Sequence, residues 1–230
     1  MSTLNTFLSS SWFAEESASP MVERLLARTT DVHERRVLQA YAAEEDEHAR
    51  LIGAYFEKHG LERGPPFWIQ PALDRIDGRT PLLVLMFHME LMAALFYGTV
   101  AQSVEAGEAR ALIRRLLRDE ARHIRLFRSL ARRELQAKRG FERVTARALV
   151  TSVQVSAYTT AQYQARQLAP LLGERAAKLP RRVWAQFTAE RGGLFDAAPQ
   201  KLDGWWAAQK RGQAVFLRSG ASGVPGCAET

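Results

Sequence analysis

Apolar and polar positions along this chain fall in long runs of helix-forming residues, and the strict alternation that marks β-strands is nearly absent. The pattern predicts an all-α protein. A first helix spans about Leu8 to Arg28, complicated by Pro20, and Thr29–Asp31 form a turn. Asp31 and Glu34 have the spacing of a capping box opening a second helix, which runs to about His59 with Gly60 as its C-cap. A loop containing Gly64, Pro65, Pro66 and Pro71 leads to a third helix, about Pro81 to Val104. Gly107 marks a turn before a fourth helix, about Glu108 to Lys138, closed by Gly140. A fifth helix is predicted over Glu142–Leu172, with shorter ones over Arg181–Glu190 and Leu202–Phe216, and the tail from Ser219 reads as disordered. The expected organisation is an antiparallel four-helix bundle in residues 1–139, a helical extension packed on it in 140–218, and a tail in 219–230.

The two helical hairpins repeat each other at an offset of 75 residues without a gap. Glu15 falls on Glu90, Glu44 on Asp119, Glu45 on Glu120, and His48 on His123. Residues three apart share a helix face, so Glu45 projects with His48, and Glu120 with His123. Leu116, Leu117, Leu126 and Phe127 share the face of the second pair, which sets ionisable groups on a core-facing stripe. Glu90 sits in the run Leu82–Phe96, apolar on nearly every side. A carboxylate buried there needs a cation, because an unpaired buried charge is costly. Antiparallel hairpins turning near Thr30 and Gly107 bring Glu15, Glu45, His48, Glu90, Glu120 and His123 to one level. Four carboxylates with one imidazole per metal suit two iron or manganese ions, with Glu45 and Glu120 as the bridging pair. On the first helix Glu15 is favoured by the repeat and Glu16 is the alternative, since Pro20 disturbs the register.

Composition narrows the chemistry. The chain has 230 residues, 47% hydrophobic, enough for one domain with a substantial core. Its one cysteine, Cys227, rules out a cysteine metal site and a disulfide framework. Neither a signal peptide nor an uninterrupted membrane-length apolar run is evident, so a soluble cytoplasmic protein without membrane contact is expected. The net charge of +7 is partly local, with thirteen Arg and Lys against four Asp and Glu between Arg110 and Arg147. Without aromatic interleaving this reads as a solvated face and not as a nucleic-acid site. An acidic carrier protein docking on Arg110, Arg114, Arg118, Arg122 and Arg125 is the functional alternative.

The double half-site resembles the ferritin-like di-iron carboxylate superfamily over about Ser11–Arg133. Within it, Asp119-Glu120-Ala121-Arg122-His123 looks like the D-E-x-R-H segment of di-iron oxygenases. The resemblance implies two iron ions (manganese or a mixed pair fits the same ligands), dioxygen as co-substrate, an electron-donor protein and a small organic substrate. It implies that Asp119 accepts a hydrogen bond from a ligand imidazole and that Arg122 pairs with Asp119. The first half departs from this, with Glu44 and Glu47 in place of the Asp and Arg. Ala18, Ser19, Ala93 and Ala94 leave room beside the site, or simply allow close helix packing. Tyr41 and Tyr97 read first as core residues, with a hydrogen-bond donor to the site or a redox-active side chain as the functional alternatives. His88 reads as a hydrogen-bonded core histidine, and His33 and His59 as exposed. The aromatics Trp184, Phe187, Phe195, Trp205, Trp206 and Phe216 suit helices that cover the bundle or a partner subunit in a homodimer. The expected activity is oxidation of a small organic molecule. The alternatives are a ferroxidase or rubrerythrin-like peroxide-reducing protein, and a tRNA-modifying di-iron hydroxylase.

Overall fold

The structure, a computed structural model, describes residues 2–65 and 73–196. These form six helices: α1 Thr3–Leu26, α2 Val32–Lys58, α3 Arg79–Ala101, α4 Glu108–Ala137, α5 Gly140–Leu172 and α6 Glu174–Asp196. No strand occurs among the described residues, so the protein belongs to the all-α class. Subtracting 75 from the bounds of α3 gives 4 and 26, against 3 and 26 for α1. For α1 and α3 the repeat read from side chains is therefore a repeat of helix bounds too, whereas α4 is three residues longer than α2.

Local chemistry explains the boundaries. The Asp31 carboxylate accepts from the Glu34 N–H at 2.7 Å and starts α2. The Glu34 side chain does not return the bond, so the expected capping box is one-sided. Glu34 is instead buried, held by Arg79 Nη2 at 2.6 Å and Arg133 Nη2 at 2.8 Å. At the far end of α2, Gly60 has φ +59°. Its N–H reaches Glu57 O while Leu61 N–H reaches Phe56 O, the paired bonds of a Schellman turn. Pro20 does not break α1. Both Pro20 and Glu16 lie on the exposed face, where water can take the Glu16 carbonyl that the ring leaves unbonded.

Two expectations need correction. Gly140 opens α5 and does not close α4, which ends at Ala137. The sixth helix runs from Glu174 through Pro180, where sequence alone suggested a start only at Arg181. Its buried stripe Ala176, Leu179, Val183, Phe187 packs on the core, and tertiary packing of that kind outweighs the proline. The predicted helix Leu202–Phe216 and the tail from Ser219 lie outside the described residues.

Contacts fix the arrangement of the first four helices. Trp12 meets Phe56 at 5.4 Å, so the start of α1 lies by the end of α2. Phe7 meets Tyr97 at 5.8 Å, so α1 also runs antiparallel to α3. Lys58 pairs with Glu108, setting the end of α2 against the start of α4. Arg79 pairs with Glu134, doing the same for α3 and α4. Each of the four helices is antiparallel to both neighbours. Helix α5 lies against α1 and α3, and α6 against α3, α4 and α5. With α5 and α6 on its outside, α3 is enclosed nearly all round, from Leu82 to Ala101. It is the one described helix apolar and long enough to cross a membrane, and 72% of that window is buried inside the protein. One core cluster runs from Phe7 in α1 to Phe195 in α6.

Glu34 ties α2 to α3 and α4 at the end of the helices joined by residues 27–31. Replacing it with Ala removes two charge-assisted bonds and should cost about 2 kcal/mol in urea unfolding. Asp31→Ala, which removes only a cap, should cost about 1 kcal/mol.

Candidate metal centre

The six residues singled out by the repeat meet in the middle of the first four helices. Glu15, Glu45, His48, Glu90, Glu120 and His123 are each no more than 5% exposed. Two groups of three have ligand atoms within 4.8 Å of one another: Glu15, Glu45 and His48, then Glu45, Glu90 and His123. Glu45 belongs to both, which is the position expected of a bridging carboxylate. Glu120 lies alongside, its Oε2 3.8 Å from His123 Nδ1, and outside either group of three. On α1 the structure selects Glu15. Glu16 is exposed and pairs with Arg63, with Oε1 3.1 Å from Nη1.

The outer contacts of the two imidazoles cross between the halves. His48 Nε2 lies 3.2 Å from Asp119 Oδ2, and His123 Nε2 lies 2.9 Å from Glu44 Oε2. Each half-site's carboxylate therefore holds the other half-site's histidine. One guanidinium serves both, since Arg122 Nη2 is 2.7 Å from Asp119 and 2.9 Å from Glu44. This explains how the first half dispenses with its own arginine. Glu47, at the equivalent position, is turned outward to Arg50 and Arg115. Glu44, the residue that departed from the resemblance, does the same work as Asp119 with one more methylene. Its place opposite Asp119 in the repeat was the available signal; the crossing was not, because it depends on the packing of α2 against α4.

The tyrosines break the repeat yet serve it. Tyr41 donates to Glu90 Oε1 at 2.5 Å, and Tyr97 donates to Glu15 Oε1. Leu116 and Val22 stand at the equivalent positions, so each outer carboxylate receives one phenol from a different helix. Both rings are buried, and their hydrogen bonds go beyond plain core packing. Burial first, then the neighbouring carboxylates, pushes both phenols far above the usual tyrosine range. They donate and do not ionise.

With both outer nitrogens fixed on carboxylates, Nδ1 of His48 and His123 face inward. These two atoms, Glu45 Oε1 and Glu120 Oε2 are buried without a formed hydrogen bond. His123 Nδ1 approaches Glu45 Oε1 to 2.9 Å but is not aligned for one. Four inward polar atoms left unbonded in a protein core call for a partner, and carboxylate and imidazole donors fit hard or borderline divalent cations such as iron or manganese. The protonation pattern agrees. Burial, followed by repulsion from Glu15 or Glu90, drives Glu45 and Glu120 well above the usual carboxylate range. Burial would lower His48, but its hydrogen bond to Asp119 and the nearby Glu15 carboxylate outweigh this and raise it to about 10. His123 is raised as well, by Glu45 and Glu120 against the effect of burial. Without metal, protons supply the missing positive charge.

A cavity of about 360 Å³ adjoins these carboxylates, within the size range of small-molecule pockets. Glu15, Glu45, Glu90 and Glu120 all belong to its lining. Phe7, Leu85, Met89, Met92 and Phe96 line it with apolar surface, and α5 contributes Val153, Ser156, Ala157, Thr160 and Gln164. Ala18 and Ala93 face the cavity as their small size suggested. Ser19 and Ala94 do not: Ser19 bonds Asp46 at 2.6 Å and Ala94 is buried in the core. The α5 wall was not foreseen, since no residue type in that helix signals a site. His88 is a core histidine, its Nδ1 2.6 Å from Val84 O, and burial lowers it to about 4. His59 is exposed, whereas His33 is half-buried.

The Arg stripe on α4 is partly committed. Arg122 is held in the site's outer contacts and Arg110 bonds Ala101 O. Arg114 and Arg118 are exposed. No protein-family model matches the chain, and no curated protein matches it.

Because the ligand groups hold protons before a cation arrives, cation binding must release them. Apparent affinity for a divalent metal should rise with pH, by about tenfold per unit for each proton displaced, across the neutral range below the His48 value. Titration in two buffers of different ionisation heat measures the proton count, and a pH-independent affinity would contradict it. Glu44→Ala should weaken metal binding about tenfold to a hundredfold by freeing His123 from its outer partner.

Proposed function

We propose that the chain is a ferritin-like four-helix bundle holding two iron ions, and that it uses dioxygen to oxidise a small organic molecule. The observation that carries this reading is the four unbonded inward atoms of Glu45, His48, Glu120 and His123, of which Glu45 and Glu120 also line a largely apolar cavity. Glu15, Glu45 and His48 would hold one ion, and Glu90, Glu120 and His123 the other, with Glu45 shared. Bound there, a ferrous pair would supply electrons for dioxygen reduction. The protein's own contribution is positional. Asp119 and Glu44 fix the imidazole tautomers, Arg122 holds both carboxylates, and Tyr41 and Tyr97 orient Glu90 and Glu15 through their hydroxyl protons. Leu85, Met89, Met92 and Phe96 keep the cavity dry, which strengthens every electrostatic interaction within it.

If one oxygen atom enters the substrate, the other leaves as water and two electrons come from outside. An electron-donor protein is therefore part of the proposal, and exposed Arg114 and Arg118 suit an acidic partner, a carrier protein included. The cavity favours this reading over ferroxidase or peroxide reduction, where the metal or the oxidant is itself the substrate and no organic pocket is needed.

Protein prepared with ample iron should carry close to two metal ions per chain, and Glu120→Ala should lose most of them. Exposed to dioxygen with excess ferrous iron, the loaded protein should oxidise its own pair and stall without reductant and substrate. Continued oxidation of many irons per chain would establish the storage or ferroxidase alternative instead.

A further inference from the structure

His88 has no part in the six-residue cluster, yet it forms part of the same cavity wall and is only 3% exposed. Its Nδ1 lies 2.6 Å from the carbonyl oxygen of Val84. A carbonyl only accepts, so the proton of the neutral ring sits on Nδ1 and Nε2 keeps its lone pair. Nε2 has no hydrogen-bond partner among the described residues. The ring cannot readily turn, because it stacks edge-on against Phe187 of α6 at 4.8 Å and Phe87 at 5.2 Å. A fixed hydrogen-bond acceptor thus stands in a wall that is otherwise mainly apolar.

Its position along that wall defines the shape of a ligand. A helix turns about 100° per residue, so successive lining residues can be placed around α3. Starting from Glu90, the wall passes through Tyr97, Ala93, Met89, Phe96, Leu85 and Met92 before reaching His88. That arc covers about half the circumference of α3, or about 15 Å of path for a helix of ordinary diameter. On this projection Glu90 of the carboxylate cluster and the His88 ring lie on nearly opposite faces of α3. Between them the α3 surface is mainly methionine, alanine, leucine and phenylalanine, with Tyr97 next to Glu90, and Val153 and Ala157 of α5 add apolar surface beside its Ser156, Thr160 and Gln164.

We propose that the cavity takes an elongated, mainly apolar organic molecule with a terminal O–H or N–H donor, which His88 Nε2 accepts. The far end of that molecule is thereby placed at the carboxylate cluster. This rests on the oxidation reading for its purpose, but not for its chemistry, since binding needs only the cavity and His88. The class excludes carboxylates, because an anion has no proton to give Nε2 and would lie in a cavity that four glutamates share.

Two isomers, 1-octanol and 1-methoxyheptane, differ in the donor and little else. Calorimetric titration of the full chain, metal-free and anaerobically loaded with ferrous iron, should show 1-octanol binding about fivefold more tightly. In His88→Phe that preference should collapse to about one while 1-methoxyheptane still binds, and His88→Gln, which keeps an acceptor oxygen, should retain part of it. Should the phenylalanine variant not fold, wild-type protein still decides the matter: the ¹⁵N resonance of His88 Nε2 should shift with 1-octanol and stay with its isomer. Equal affinities for the isomers, or tighter binding of octanoate than of 1-octanol, overturn the assignment. The two readings separate in the same samples. An isomer preference in protein that takes up no iron keeps the ligand class and removes the di-iron site. Two irons per chain with no preference removes the ligand class alone.

Discussion

Four carboxylates packed into an apolar core are the constraint on which the rest of the structure depends. Buried charge of one sign is tolerated only with compensation close at hand, because the interior screens poorly and solvates little. Here compensation comes in layers. Protons on two imidazoles and two carboxylates balance the inner cluster, two phenols donate to the outer carboxylates, and one arginine holds the carboxylates that hold the imidazoles. These groups come from all four of the helices α1 to α4. The cluster therefore fixes the register of four helices at once, which generic apolar packing does poorly. That tie between charge and register fits the gapless offset of 75 residues between the two hairpins.

The hairpin repeat and the inner cluster were legible because they depend on local periodicity. Glu45 with His48 and Glu120 with His123 share helix faces by spacing alone, and Glu90 stands out by contrast with its neighbours. What the sequence could not carry is which helix lies beside which. The crossing of Glu44 to His123 and Asp119 to His48 depends on α2 packing against α4, and no spacing within one helix encodes it. The same limit applied to Tyr97, two turns from Glu90 on α3 but bonded to Glu15 on α1. Choosing Glu15 over Glu16 needed the helix to pass Pro20 undisturbed, which burial of Met21, Val22 and Leu25 beyond it secures. The α5 wall was invisible for another reason. Ser, Thr, Ala and Gln on a helix face signal neither core nor chemistry until a cavity is seen beside them.

The repeat makes the two half-sites equivalent in ligands, but the surroundings make them unequal. Helices α5 and α6 cover α3 and leave α1 touched by α5 alone, so α3 is apolar nearly all round while α1 keeps an exposed face bearing Glu16 and Pro20. A repeat that began symmetrical would be driven apart by this, since α3 must bury both sides and α1 only one. The cavity follows the same asymmetry. It runs along α3 beneath α5, and it includes the carboxylates where α1 and α3 approach. Of the groups that the repeat does not predict, Tyr97 and His88 lie on α3, the helix packed by both α5 and α6, while Tyr41 lies on α2 and Arg122 on α4. The conserved spacing thus accounts for the charge cluster, and the added helices account for the shape of the space beside it. A reaction that needs only the cluster would be indifferent to α5 and α6. One that must hold an organic molecule would not, and it is on the α5-covered side of α3 that the space has been kept open.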